Sequence, residues 1–287
     1  MLKVFKNFIS MLKYLWLCIC YNIRSNISNK KSFIIQTVAM FINNFVFLLF
    51  WSILFSNKGG SINGVGMADI MYLWSIPTIG YGIVFFCFGG VETLCKDIVD
   101  GNMDIYLTKP KNGLISQLTS RSVLSAMGDL IFGAVIGFIA VHGNIFKFIW
   151  LLILSLISAV ILLSVIVIVR LFAFWLGDIT NACHKYTHSL LITLTIYPEA
   201  MFPGFMKIIM YTVIPAMYVE HIPVALMDTF NPLAFGIFIA SAFVFPILMS
   251  ILYTKGLKRY ESGNGVQEGK STKTRSQVIT CDLVFYA

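Results

Sequence analysis

Five stretches of the chain are almost purely apolar: Phe33 to Phe55, Ile70 to Val91, Ser122 to Val141, Ile149 to Val169 and Asn231 to Thr254. Each has about the twenty residues that a bilayer-spanning helix needs at a rise of about 1.5 Å per residue. Asp129 is the one charge within them. A sixth apolar region, Ser189 to Val219, carries Pro198, Glu199, Pro203, Lys207 and Pro215, so it does not read as one straight helix. Upstream, Phe5, Ile9, Leu12, Trp16 and Ile19 recur at helical spacing, with Lys6, Ser10 and Lys13 on another face. That pattern predicts an amphipathic helix lying on a membrane surface. It is not the pattern of a signal peptide, because Lys13 interrupts the apolar run and no small-residue cleavage site follows.

Composition agrees with the pattern. Of 287 residues, 58% are apolar and 12% charged, about half the charged share of a soluble domain, which excludes an ordinary water-soluble enzyme. The net charge of +8 would suit nucleic acid, but its placement points elsewhere. Eighteen of the 21 Lys and Arg lie in residues 1–31, in the Glu92 to Arg121 loop, at Arg170 and Lys185, and after Thr254; Lys58, Lys147 and Lys207 fall on the other side. Basic residues are retained on the cytoplasmic face. Both termini are therefore expected to be cytoplasmic, the partner of the basic ends is the lipid bilayer, and no nucleic-acid partner is implied.

Parity then requires Ser189 to Asn231 to cross once or three times, and since it has residues for about two crossings at most, one is expected. The expected organisation is an all-α polytopic protein with a cytoplasmic amphipathic segment at 1–31, six spans at about 33–55, 70–91, 122–141, 149–170, 187–205 and 231–254, and a disordered cytoplasmic tail at 263–287. A re-entrant or interfacial segment through Pro223 is expected before the last span, because irregular backbone at membrane depth must lie against protein or a water-filled cavity.

Catalytic signals are lacking. Cys18, Cys20, Cys87, Cys95, Cys183 and Cys281 show no C-x-x-C spacing. His184 and His188 stand one helical turn apart beside Cys183, but a third and fourth ligand are not evident, so no metal site is expected. Asn264 to Ser271 is one residue short of a phosphate-binding loop and follows a membrane helix rather than a strand. No nucleophilic triad or paired-carboxylate constellation is recognisable, so the chain is expected to be non-catalytic.

Asp129, Arg170 and Glu199 are charges at or near membrane depth, where a charge is a functional candidate by default. Asp129 and Arg170 sit at the inner ends of successive spans and are expected to pair, either to fix helix packing or to serve a proton or transport role. Gly133 and Gly137 form a small-xxx-small pair suited to close helix contact. The Glu92 to Arg121 loop is the most informative segment. It sets Ile105, Tyr106 and Leu107 between Asp104 and Lys109, with a Gly101 break and a Pro110 stop. Apolar and aromatic residues rimmed by charge predict a docking surface, the alternative being a loop folded back on the membrane.

At this loop the chain resembles the membrane subunits of bacterial ABC-2 type transporters. A Glu at the end of the second span, here Glu92, leads into a pattern carried by Asp97, Ile98, Gly101, Met103, Asp104, Tyr106, Leu107, Lys109 and Pro110. Gly128-Asp129-Leu130, Tyr197-Pro198 with Phe202, Pro215-Ala216 followed by Pro223, and Gly256 to Ser262 continue the likeness over roughly residues 1 to 265. The resemblance implies a permease subunit that pairs with an identical or related subunit in the bacterial cell membrane. Two copies of a separate ATPase, which would hold the ATP and Mg, would dock on Glu92, Asp97, Gly101, Asp104, Tyr106, Leu107, Lys109 and Pro110. No cofactor is then bound by this chain. The direction implied is export, of an amphiphilic, drug-like or peptide-like substrate. A secondary transporter, or a receptor or immunity subunit that binds without transporting, are the other classes open to such a sequence.

Overall fold

The computed structural model describes residues 2–27, 30–57, 61–62, 65–109, 112–198, 202 and 204–260. Helix dominates, as it must where lipid leaves no water to satisfy backbone groups. The chain opens with α1 (Leu2–Ile27) and α2 (Lys30–Asn57). A minimal antiparallel ladder follows, β1 (Ser61–Ile62) and β2 (Val65–Gly66), with Ser61 opposite Gly66 and Ile62 opposite Val65. It delivers the chain into α3 (Met67–Cys87), whose start is capped by Asp69, its carboxylate accepting from the Gly66 N–H at 2.7 Å.

Among the described residues, four helices are long and apolar enough to cross a membrane: α2, α3, α8 (Ile145–Leu171, extended by α9, Ala173–Leu176) and α14 (Pro232–Leu257). All four lie where the hydrophobic pattern predicts spans. α3 is the central one and is almost wholly buried, against α7 (Ala126–Ala140) and α8. α2 packs on α7 and α14 packs on α8 at the periphery, so both keep broad apolar faces outward, for example Phe243, Val244 and Ile247. Lipid, not protein, is the natural cover for those faces.

Between α3 and α7 lies a folded unit, the one expected on the cytoplasmic side. It consists of a 3-10 turn (Gly89–Thr93), α4 (Leu94–Val99), α5 (Asp104–Leu107) and α6 (Gly113–Leu118). Gly101 turns the chain between α4 and α5 at φ 76°, a conformation that glycine adopts without a Cβ penalty. Asn112 caps α6 by accepting from the Leu114 N–H.

Helix boundaries differ from the spans expected of the sequence. The helix in the second expected span ends at Cys87 rather than Val91, and that in the third begins at Ala126 rather than Ser122, because Val123 donates its N–H to Phe85 O and the chain turns at Leu124 and Ser125. The fifth region also shifts. α10 (Thr180–Lys185), a π turn (Tyr186–Leu191) and α11 (Ile192–Ile196) run on as one helix, and it stops at Ile196 instead of reaching residue 205. Pro198 is the cause: the residue before a proline is pushed out of the helical region, and Tyr197 is extended at φ −108°, ψ 137°. Beyond it, α12 (Gly204–Thr212) and a helical arm of a π turn (Met217–His221) with α13 (Ile222–Asp228) meet at an 88° bend around Pro215. This is the broken geometry that the proline cluster predicts.

Candidate functional site

The unit between α3 and α7 is held by a buried polar hub. Asp97 on α4 is 7% exposed, and its Oδ2 accepts from Gln117 Nε2 at 2.9 Å and from Thr93 Oγ1 at 3.1 Å. Gln117 also donates to Gly90 O at 2.8 Å. Burial raises the Asp97 pKa above the ordinary carboxylate value, and the hydrogen bonds from Gln117 and Thr93 partly oppose it. Gly90 is required here for space, since a Cβ would run into the Gln117 and Leu118 carbonyls. Arg170, at the inner end of α8, donates to Val91 O at 2.7 Å and so ties the same turn to a membrane helix.

Other helices brace the unit from outside. Tyr14 of α1 donates to Ser116 Oγ at 3.1 Å, and Asn22 donates to Thr119 O at 2.9 Å. α1 therefore packs a Tyr14, Cys18 and Asn22 face against the unit and leaves Trp16 outward, 67% exposed. From the far end of the chain, the Tyr253 hydroxyl lies 3.0 Å from where a Gly113 Cβ would stand, and Tyr260 reaches Asp104.

This geometry corrects two expectations. Tyr106 is not an exposed anchor: it is 2% exposed, packed in the main core with Met103, Leu114 and Leu118, with the Lys109 ammonium 5.6 Å from its ring centroid. A bulky ring flanked by apolar neighbours is worth more inside than on a rim. The apolar side chains that do face outward are Leu107, 40% exposed, and Val99, 44% exposed. The second correction concerns Asp129 and Arg170, which do not pair. Asp129 faces α2, where Asn44 Nδ2 donates to its Oδ1 at 2.6 Å, whereas Arg170 faces the unit between α3 and α7. Pro110 and Glu199, and the near-phosphate-loop at Asn264 to Ser271, lie outside the described residues.

Gly133 and Gly137 sit where the pattern expects close contact. A Cβ at Gly133 would come within 2.7 Å of Ile79 Cγ1 and 3.1 Å of its backbone nitrogen, and one at Gly137 would strike Ser75 Oγ. Ser75 in turn donates to Gly133 O at 2.8 Å, fastening α3 to α7.

Above the hub, a cavity of about 520 Å³ opens between α2, α3, α7 and the α10–α11 helix. Its volume is in the range of small-molecule sites, about 300–1,000 Å³. Phe47 and Trp74 stack within it at 4.0 Å between ring centroids, and Tyr81 stacks on Phe85 at 6.1 Å. Asn43, Asn44, Thr78 and Asp129 supply its polar wall. Glu92 and His188 line its end nearest the hub, Glu92 Oε1 lying 3.7 Å from His188 Nε2. The imidazole beside it holds Glu92 below its ordinary carboxylate value. His184 stacks close to His188, at 4.3 Å between centroids, but among the described residues no group of His, Cys, Asp and Glu could hold a metal ion.

The arrangement is a bundle of apolar helices with a cavity between them and a folded unit keyed into four of the helices. A family model described as an ABC-2 family transporter protein matches residues 41–264. The chain belongs to this family. It is thus the membrane domain of a transporter, a permease subunit with several membrane-crossing helices. No curated protein and no solved structure matches the chain. Sequence reasoning missed the permease's Gln117, Tyr14 and Asn22, whose partners are about a hundred residues away or on a separate helix and leave no local signal. It also missed Asn44, although an Asn43-Asn44 pair within an apolar run is a visible interruption.

Proposed function

We propose that this permease is one half of the membrane part of an exporter, driven by a separate ATPase that docks on the Glu92 to Arg121 unit. The observation that carries the reading is the family match over residues 41–264. The folded cytoplasmic unit supports it: a partner pressing on a rigid body joined to α1, α3, α8 and α14 would move those helices together. A loose loop would absorb the push. ATP and Mg belong to the partner, and this chain binds neither and is not itself a catalyst. A second permease subunit, identical or related, completes the pathway, and the substrate is amphiphilic, drug-like or peptide-like.

In this reading there are six crossings in the bacterial cell membrane, with both termini cytoplasmic. α7 and the α10–α11 helix are the two shorter crossings, and the bent α12–α13 arm is the re-entrant outer segment. α1 lies along the inner leaflet with Trp16 toward lipid.

Leu107 and Val99 are the docking residues, bordered by the exposed Lys96, Asp100 and Thr108. Replacing buried anchors at an interface commonly costs about 2 kcal/mol or more, roughly thirtyfold in affinity. The V99D/L107D double variant should fold and insert, yet co-purify with the ATPase at a small fraction of the native yield and lose substrate-linked ATP hydrolysis. Undiminished assembly and hydrolysis would overturn the docking assignment. ATP hydrolysis by the purified chain alone, abolished by K270A, would overturn the two-component reading.

A further inference from the structure

The cavity's lining is chemically one-sided. It carries two carboxylates, Asp129 and Glu92, and no Lys or Arg among its described lining residues. Asp129 is 7% exposed, and the hydrogen bond it accepts comes from a neutral amide, Asn44, so its charge is not compensated by a cation of the protein. Buried carboxylates without a cationic partner are costly. A cationic ligand would offset that cost.

A further group points to an absent ligand. The Trp74 indole N–H belongs to a side chain more than nine-tenths buried, lines the cavity, and has no hydrogen-bond partner among the described residues. Glu220, fully buried with neither carboxyl oxygen hydrogen-bonded, interacts electrostatically with Tyr81 and adds a third acidic group to this region. Phe47, Trp74, Tyr81 and Phe85 line it as well. Aromatic faces carry negative quadrupole density and attract desolvated cations, most strongly for Trp.

We propose that this cavity binds monovalent organic cations with an apolar or aromatic body, the positive end held by Asp129 and Glu92 and the body by Phe47, Trp74 and Tyr81. The proposal rests on the permease reading and narrows its amphiphilic substrate to one sign of charge. An anionic amphiphile of the same shape would meet the Asp129 carboxylate, whose charge no cation of the protein offsets, and be rejected.

Tetraphenylphosphonium and tetraphenylborate are near-isosteric ions of opposite charge, and they test this directly. Binding is measured by equilibrium dialysis against the full-length chain in phosphatidylcholine nanodiscs, with empty nanodiscs subtracted to remove partitioning into lipid. The expected result is saturable binding of the cation, with the anion weaker by about tenfold or more. D129N and E92Q should each weaken the cation several-fold without weakening the anion, whereas W74A should weaken both. Equal binding of the two ions, or no saturable binding of the cation, would overturn the proposal. So would full cation affinity in both carboxylate variants. Should D129N fail to fold, E92Q alone decides, since its side chain is 40% exposed and lines the cavity's end nearest the hub. ATP hydrolysis with the partner ATPase is read in parallel. Lost discrimination with coupling intact sinks the cation assignment alone, and absent coupling sinks the transporter reading.

Discussion

Asp97 shows how a single buried carboxylate can organise a folded loop. Removing it in D97A leaves one arm of Gln117 without its acceptor and Thr93 Oγ1 with Gly90 O alone, and an unsatisfied buried polar group costs about 1–3 kcal/mol. D97A should therefore lower the melting temperature of the solubilised permease. D97N keeps an acceptor oxygen and sheds the desolvated charge, so it should lose less. Glu92 behaves oppositely. Its pKa is held below the ordinary 4.5 in the folded chain, so the stability that it contributes is present above that value and lost as the pH falls below it. E92Q should melt lower than the native chain near neutral pH, and the two curves should converge as the pH is taken below 4.5. A gap that is constant with pH would show that the contact with His188 does not carry the effect. Y106A belongs to a third class, that of a core truncation. Removing a large buried ring costs about 3–5 kcal/mol, so loss of folded protein is expected rather than a selective loss of ATPase binding.

At the scale of elements, glycines mark where helices and turns meet most closely. Gly90 lies against the backbone carbonyls of Gln117 and Leu118, which cannot move aside without breaking α6. Overpacking such a contact costs about 1–3 kcal/mol, so G90A should lower both the yield and the melting temperature. Gly236, inside α14, has nothing within 4 Å of where its Cβ would stand. Alanine there should be neutral or stabilising, by up to about 1 kcal/mol, because glycine is the poorer helix former. If the two variants melted alike, the close fit of the 3-10 turn onto α6 would not be a source of stability. The same reasoning separates α7 from its neighbours. α7 is 15 residues long, about 22 Å at 1.5 Å per residue, and its contact with α3 depends on Gly133 and Gly137 bringing backbones together where longer side chains would hold them apart.

For the whole molecule, the decisive question is which residues share a side of the membrane. In a background without native cysteines, single cysteines at His142 and Asp228 should react with an impermeant thiol reagent applied from outside. Cysteines at Lys185 and Arg259 should react only after the membrane is opened. All four native residues are exposed to solvent or lipid in the fold. Labelling of Lys185 from outside would invert the orientation, and failure at Asp228 would remove the re-entrant arm from the outer face. The Glu92 to Arg121 unit takes contacts from α1, at the start of the chain, and from Tyr253 on α14 and Tyr260 just beyond it. A displacement of that unit would therefore be felt at both ends of the bundle, as the proposed drive by a docked ATPase requires.

By itself the sequence determined the membrane class, the four long spans, the proline-broken outer arm and the transporter family, because each is written in local runs of residues. Apolar length and Pro placement act within one segment, and the motif from Asp97 to Lys109 is contiguous. Only the tertiary structure decided that Tyr106 faces inward and Leu107 outward, since both are apolar and a four-residue helix such as α5 is too short for periodicity to assign a face. Likewise it decided that Asp129 meets Asn44 rather than Arg170, and that Gln117 joins Asp97 to Gly90. These pairings depend on how helices rotate about their own axes when they pack. That rotation is set by the summed fit of many distant side chains, which no single stretch of sequence carries.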